Sequence, residues 1–271
     1  MSSLEGFGEH AEELRKRSVR AVLAVAIITV FVLTFHIEPY QLDGGLTVYY
    51  PTPQPLDNMA AQITGHLRDA LVPDSVQLIQ TAPGEAFFAQ IYIAALVGVA
   101  AAMPIIVREV AAFIGPALAE NEIHVGRAIS LPAIGLFAAG CIFSYQLVVP
   151  YMLDFLYRYG ESAGLVTFLN VMDFVTFVLQ FLIAFGVSFQ LPLGMYAVTM
   201  SGMVSPDFWK RNARYAVVAI VVFGAAITPD GSGVTMWFIA APMIALYVAG
   251  MLFLLRGDAK EADGVQQPAA A

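Results

Sequence analysis

The polar side chains of this sequence are few enough to be weighed one at a time. Chemistry inside a bilayer needs a nucleophile with its base, or a set of converging metal ligands. The four histidines, His10, His36, His66 and His124, all fall at or beyond the edges of the apolar runs. No H-E-x-x-H, no G-x-S-x-G and no pair of carboxylates within an apolar run occurs. The one cysteine, Cys141, lies in an apolar run, reads as a small buried hydrophobe and excludes an internal disulfide. The expectation is a protein that is not an enzyme, with no catalytic residue, no metal site and no cofactor.

Four polar stretches remain. EHAEELRKRS (Glu9 to Ser18) places carboxylates ahead of guanidiniums. Its cations read as a positively charged membrane anchor, but Glu9, Glu12 and Glu13 weaken such an anchor and are left unexplained by it. FIGPALAENE (Phe113 to Glu122) breaks a helix at Gly115 and Pro116, then adds Glu120 and Glu122. It is either a solvated loop or an anionic lip for a cationic ligand. TAPGEAFF (Thr81 to Phe88) puts Glu85 in a first helical turn, where capping is enough to explain it. FGVSFQLPLG (Phe185 to Gly194) holds Gln190 mid-membrane beside Pro192, which kinks the helix and frees a carbonyl. That amide is either interhelical glue, worth roughly 0.6–2 kcal/mol, or the lining of a wet cleft.

The elements that must position these groups follow from where charge is absent. The 271 residues are 59% hydrophobic and 13% charged, against about 45–50% and about 25% in a soluble domain. The bilayer is the solvent for such a chain, and the net charge of −8 speaks against a nucleic-acid partner. Uncharged runs predict an all-α polytopic membrane protein with spans at about 19–37, 85–112, 126–152, 172–200, 213–228 and 233–255. The rival reading of the first run as a signal peptide is disfavoured by the acids of its leader and the lack of a small-x-small site. The fifth run is too short for an ordinary span and is joined to the sixth by TPDGSG, a tight hairpin. Residues 1–256 form one transmembrane domain, and 257–271 read as a disordered tail. Leu56 to Leu71 reads as a short amphipathic helix, with Pro51, Pro53 and Pro55 as a stiff extended lead-in.

Charge sets the orientation. Of the 13 lysines and arginines only Arg68 and Arg158 fall on one side of this pattern. The rest, among them Arg15 to Arg20, Arg108, Arg127, Lys210 to Arg214, Arg256 and Lys260, share the other side with both termini. By the positive-inside rule both termini are cytoplasmic.

The four stretches, in this order, resemble the signatures of TatC, the core subunit of the twin-arginine protein translocase. His10, Glu13, Leu14, Arg15 and Arg17 are similar to the family's H-x-x-E-L-R-x-R head. Phe113, Pro116, Leu118 and Glu122 match F-x-x-P-x-L-x-x-x-E of its first cytoplasmic loop. PGEAFF, FSYQLVVP with Tyr145, FGVSFQLP, AAITPDG and APMIALY resemble the remaining signatures.

The resemblance implies a concave, glove-like bundle of six helices with short fifth and sixth members. It implies a receptor for the twin-arginine signal peptides of folded cargo, with Glu13, Glu122, Phe113, Arg17, Leu14 and Pro116 as the binding set. Gln190, Pro192, Glu85 and Tyr145 are implied as a polar intramembrane or partner-docking set. Small single-span TatA/TatB-type subunits and further copies of the chain are the implied partners, and the proton-motive force the implied drive. Many family members carry Glu where this chain has Gln190, so a protonation role there is in doubt. The alternative of a six-span transporter or channel would need ionisable groups converging at mid-depth, and spans two to six offer almost none.

Overall fold

In hydrocarbon only structures that satisfy their own backbone can span, so the long apolar runs become helices. The computed structural model describes residues 3–41, 47–73, 76–114, 123–165, 167–200, 202–228 and 233–265. In chain order the elements are α1 (Ser3–Thr34), β1 (Phe35–Gln41), β2 (Thr47–Pro53), α2 (Met59–Leu71), β3 (Gln77–Ile79), α3 (Glu85–Ile114) and α4 (Ile123–Phe143). A π-helical turn (Ser144–Val148) leads into α5 (Val149–Ser162), followed by β4 (Phe168–Asn170), α6 (Val171–Ser188) and α7 (Leu191–Met200). The chain closes with α8 (Pro206–Arg211), α9 (Ala213–Ile227) and α10 (Val234–Val265). Among the described residues, five helical stretches are long and apolar enough to cross a membrane, and α9 is a shorter apolar helix of 15 residues. This is the polytopic helical class that the uncharged runs predict.

Several boundaries differ from the sequence reading. The third helical stretch does not stop near 152 but runs to Ser162, helped by Arg158 bonding Asp154 one turn earlier at 2.8 Å. The π-helical turn precedes Pro150, whose ring and missing N–H oppose an ordinary α-helical turn there. The fourth stretch is two helices, because Pro192 cannot continue α6; it sits instead in the first turn of α7, where a missing N–H costs nothing. Of the last two helices only α9 is short. α10 has 32 residues and carries on to Val265 where a disordered tail is expected from Gly257, its Ala-Lys-Glu-Ala run being made of good helix formers. The TPDGSG turn falls largely outside the described residues.

The chain divides into two units, Met1–Pro116 with Val149–Gln180, and Ala117–Val148 with Phe181–Ala271. In the first, α1 packs along α3. Arg17 meets Glu109 while Thr29 and Val25 meet Gly98, so the two helices run antiparallel. Gly98 permits the approach: a Cβ there would lie 2.5 Å from the Thr29 hydroxyl and 2.9 Å from the Val25 carbonyl. The far side of α1 carries Val22, Leu23, Ile27 and Val30, each more than half exposed, as a lipid-facing surface requires. Ile93, Met152, Phe174, Val175 and Val178 form a fully buried core.

The non-helical part of this unit was not foreseen. β1 and β2 make an antiparallel hairpin, and β3 pairs in parallel with β4. The amphipathic helix is present as α2, capped by Asn58, whose side chain accepts from the Ala61 N–H at 3.0 Å. Asn58 is 2% exposed and also donates to the Pro55 carbonyl and the Gln90 side chain, which fixes α2 to α3.

In the second unit α4 packs on α6 through reciprocal glycines. A Cβ on Gly140 would collide with the Phe185 carbonyl, and one on Gly186 would lie 2.7 Å from the Phe137 ring. Phe137, Phe181, Phe185 and Ile239 are its largest buried side chains. Tyr247 of α10 donates to the Trp209 carbonyl at 2.7 Å, and the Trp209 indole donates to Thr199 at 2.9 Å.

Gly140→Ala should lower the thermal midpoint in detergent, by an overpacking cost of about 1–3 kcal/mol. Gly135→Ala on the same helix, where nothing lies within 4 Å, should be neutral or stabilising by up to about 0.5–1 kcal/mol. Heating followed by size-exclusion recovery of monodisperse protein reads both.

Candidate functional site

The head stretch EHAEELRKRS is helical throughout as the first turns of α1. Helical spacing puts Glu13 and Arg17 one above the other, with the acid toward the N-terminus, the better orientation for such a pair. The Arg17 guanidinium donates to Glu13 Oε1 through Nε at 3.1 Å and Nη2 at 2.5 Å. Its remaining edge, Nη1, points to Glu109 Oε2 of α3 at 3.5 Å. Leu14 is 48% exposed beside this pair.

Glu109 is the residue that sequence reasoning missed. Its side chain is 6% exposed, yet three guanidiniums reach it: Arg17, Arg20 at 3.6 Å and Arg108 at 3.1 Å. A buried carboxylate is tolerated only when paired in this way. In the sequence it stands next to Arg108 and reads as half of a neutral surface pair. The signal that would have found it is the antiparallel register of α1 on α3, which brings residue 109 to the level of residue 17.

The second half of the predicted binding set is only partly visible. Phe113 lies one helical turn beyond Glu109 in the last turn of α3. Pro116 and Glu122, with Glu120, lie outside the described residues. The structure therefore brings Glu13 and Arg17 together and adds Glu109, all in the first unit.

The other predicted set is spread along the chain. Glu85 opens α3 just after Gly84, whose φ of +87° suits the turn before the helix. Its carboxylate accepts from the Thr81 N–H at 2.8 Å, the Thr81 hydroxyl at 2.9 Å and the Asn170 amide at 3.1 Å. Asn170 ends β4, so Glu85 ties the start of α3 to the β3–β4 pair. In the second unit, Gln190 sits in the break between α6 and α7 and donates to the Ala133 carbonyl of α4 at 3.0 Å. Pro192 packs beside Gly250 of α10, where a Cβ would come within 3.1 Å of it. Tyr145 is half-buried in the π-helical turn.

Comparison with known proteins places this geometry in context. The model of the family described as "Sec-independent protein translocase protein (TatC)" matches residues 9–242. The chain is similar to the Sec-independent protein translocase protein TatC of Cenarchaeum symbiosum, at 67% identity over 261 residues, 96% of this chain and 98% of that one. It is similar to the TatC protein of Deinococcus radiodurans at 31% identity, covering 90% and 83%. Among solved structures it is similar to a crystal structure of the twin arginine translocase receptor TatC, with TM-score 0.72 at 28% identity over 90% of this chain and 96% of that one. A crystal structure of that receptor in DDM gives TM-score 0.73 at 27% identity, over 90% and 99%.

Glu109→Gln should destabilise the protein in detergent by about 1–3 kcal/mol, since it removes a buried acceptor of charged donors. Glu12→Gln removes only an exposed pair with Lys16 at 3.0 Å, and should cost no more than about 0.3–0.5 kcal/mol. Paired thermal melts separate the two.

Proposed function

Because the chain belongs to the TatC family of Sec-independent protein translocase proteins, we propose that it is the receptor for twin-arginine signal peptides and the core subunit of a translocase that exports folded proteins. The observation that carries this reading is the guanidinium already seated at the head of α1. Glu13 holds Arg17 through two N–H groups, the fork that an arginine of a peptide would present. Arg17 also reaches Glu109. A peptide arginine arriving at Glu13 would leave Arg17 on Glu109, so no buried charge is stranded during the exchange. Glu122, with Phe113 and Pro116, supplies the place for the second arginine, and Leu14 an apolar contact for the peptide.

Both termini are cytoplasmic in this reading, because only that orientation puts all but two of the lysines and arginines inside. The signal peptide then meets Glu13 from the cytoplasm. The work is recognition and transport driven by the proton-motive force, without catalysis. Gln190, Pro192 and Tyr145 serve partner docking, where an amide at a helix break offers both a donor and an acceptor to a single-span TatA/TatB-type subunit. Glu85, fully engaged by Thr81 and Asn170, holds the loops at its end of α3. The receptor assembles with further copies of itself.

Glu13→Ala and Glu122→Ala should each weaken binding of a twin-arginine peptide about tenfold or more, the equivalent of one charge-assisted hydrogen bond. Glu85→Ala should bind like the parent. Equal binding by all three, or equal crosslinking of twin-arginine and twin-lysine peptides, would overturn the site. Gln190→Leu should reduce transport in vesicles while peptide affinity is kept. Unchanged transport would leave Gln190 as interhelical glue alone.

A further inference from the structure

The hairpin formed by β1 and β2 follows α1 with no linker, Thr34 ending the helix and Phe35 opening the strand. Its register pairs Phe35 with Pro53, Ile37 with Pro51, Pro39 with Tyr49, and between them His36 with Thr52, Glu38 with Tyr50 and Tyr40 with Val48. Residues directly opposite share a face and neighbours along a strand alternate. One face is thus Phe35, Ile37, Pro39, Tyr49, Pro51 and Pro53, apolar but for the Tyr49 hydroxyl until it ends in the polar pair Gln41 and Thr47. The other carries His36, Glu38, Tyr50 and Thr52, with Tyr40 and Val48 at its far end.

The contacts show which face the rest of the unit covers. His36 reaches the Asp57 carbonyl at 2.6 Å and the Gln62 amide at 3.2 Å, so α2 lies on the polar side. Tyr50 donates to Glu38 on that same side at 3.2 Å. The apolar face is turned away: Tyr49 is 68% exposed, and Pro39, Pro51 and Pro53 are exposed as well. It is also continuous with the lipid-facing surface of α1, since Phe31 of α1, itself 42% exposed, stacks on Phe35 with ring centroids 4.6 Å apart.

The backbone is prepared for the same environment. A hydrogen-bonded antiparallel pair exchanges two N–H groups, which a proline cannot do, so the pairs at 53, 51 and 39 are the non-bonded ones. Their N–H groups would point out of the hairpin. Proline removes three of these donors, at 39, 51 and 53. Of the donors that remain on these pairs, Ile37 donates to the Gln62 side chain at 3.2 Å, and its carbonyl accepts from the same amide at 3.1 Å. Prolines also blunt the β2 edge against a further strand. Three donors removed by proline, a largely apolar face, and tyrosines at 40, 49 and 50 suit the boundary between headgroups and acyl chains, where aromatic residues concentrate.

We propose that the 35–53 hairpin lies flat on the bilayer, with its Phe35–Ile37–Pro39–Tyr49–Pro51–Pro53 face seated in the lipid interface as a paddle that fixes the depth and tilt of α1. The occupant of this face is lipid. The four consecutive residues 48 to 51 alternate between the faces and make the test direct. In a Cys141→Ala background, Val48→Cys, Tyr49→Cys, Tyr50→Cys and Pro51→Cys are spin-labelled one at a time in phosphatidylcholine–phosphatidylglycerol vesicles. Accessibility to oxygen, which concentrates in lipid, and to a water-soluble nickel chelate is then measured. The expected result is an alternation, with the oxygen-to-nickel ratio several-fold higher at 49 and 51 than at 48 and 50.

Uniformly high nickel accessibility would mean a hairpin standing in water. Protection of 49 and 51 from both reagents would mean a protein partner on that face. Either overturns the proposal. The unsubstituted chain provides a second arm. A lipid bearing a photoreactive group near its glycerol should attach within 35–53 of the wild-type protein. Absence of attachment there, with attachment on α1 retained, overturns it equally.

Discussion

A polar group that leaves water for hydrocarbon is stabilised by a partner within the protein, and that requirement shapes much of this chain. Thr29 returns its hydroxyl to the Val25 carbonyl at 2.8 Å, and Gln190 spends its amide on Ala133. Glu109 is held by three arginines, and Asn58 uses its oxygen and its nitrogen on three different segments. Because lipid is as apolar as leucine, burial of apolar surface cannot by itself draw the helices together. Close approach does that work, and it is available where glycine stands: Gly98 under Thr29, and Gly140 and Gly186 between α4 and α6.

These two rules separate what was legible in the sequence from what was not. The helical polytopic class was legible, since a missing charge over some twenty residues has few other meanings. The break at Pro192 was legible for the same local reason. The hairpin was hidden because Pro51 and Pro53 of β2, with Pro55 just beyond it, read as a stiff extended lead-in. Only pairing with 35–41, which no local pattern announces, turns that segment into a strand. Glu109 was hidden by its neighbour Arg108, its decisive partner lying far off in sequence on α1. The end of α10 was misjudged because a polar tail and a polar helix share a composition. Glu122 and Pro116 lie outside the described residues, so that half of the site rests on the motif.

The charges at the head of α1 bear on how a receptor for arginines could work at all. Around Glu109 and Glu13 stand Arg17, Arg20 and Arg108, so this cluster carries more cations than carboxylates. A basic peptide is not drawn to such a cluster by long-range attraction. What the cluster offers is a carboxylate whose present partner has somewhere else to go. Arg17 can give up Glu13 and keep Glu109, whereas an arginine with one partner would be left unpaired. In the proposed reading attraction comes from acids elsewhere, and Glu120 and Glu122, which follow α3 in the sequence, carry that charge. In the proposed reading the two acidic patches differ in role: Glu120 and Glu122 collect the peptide, and Glu13 discriminates, because only a forked guanidinium repeats what Arg17 does there.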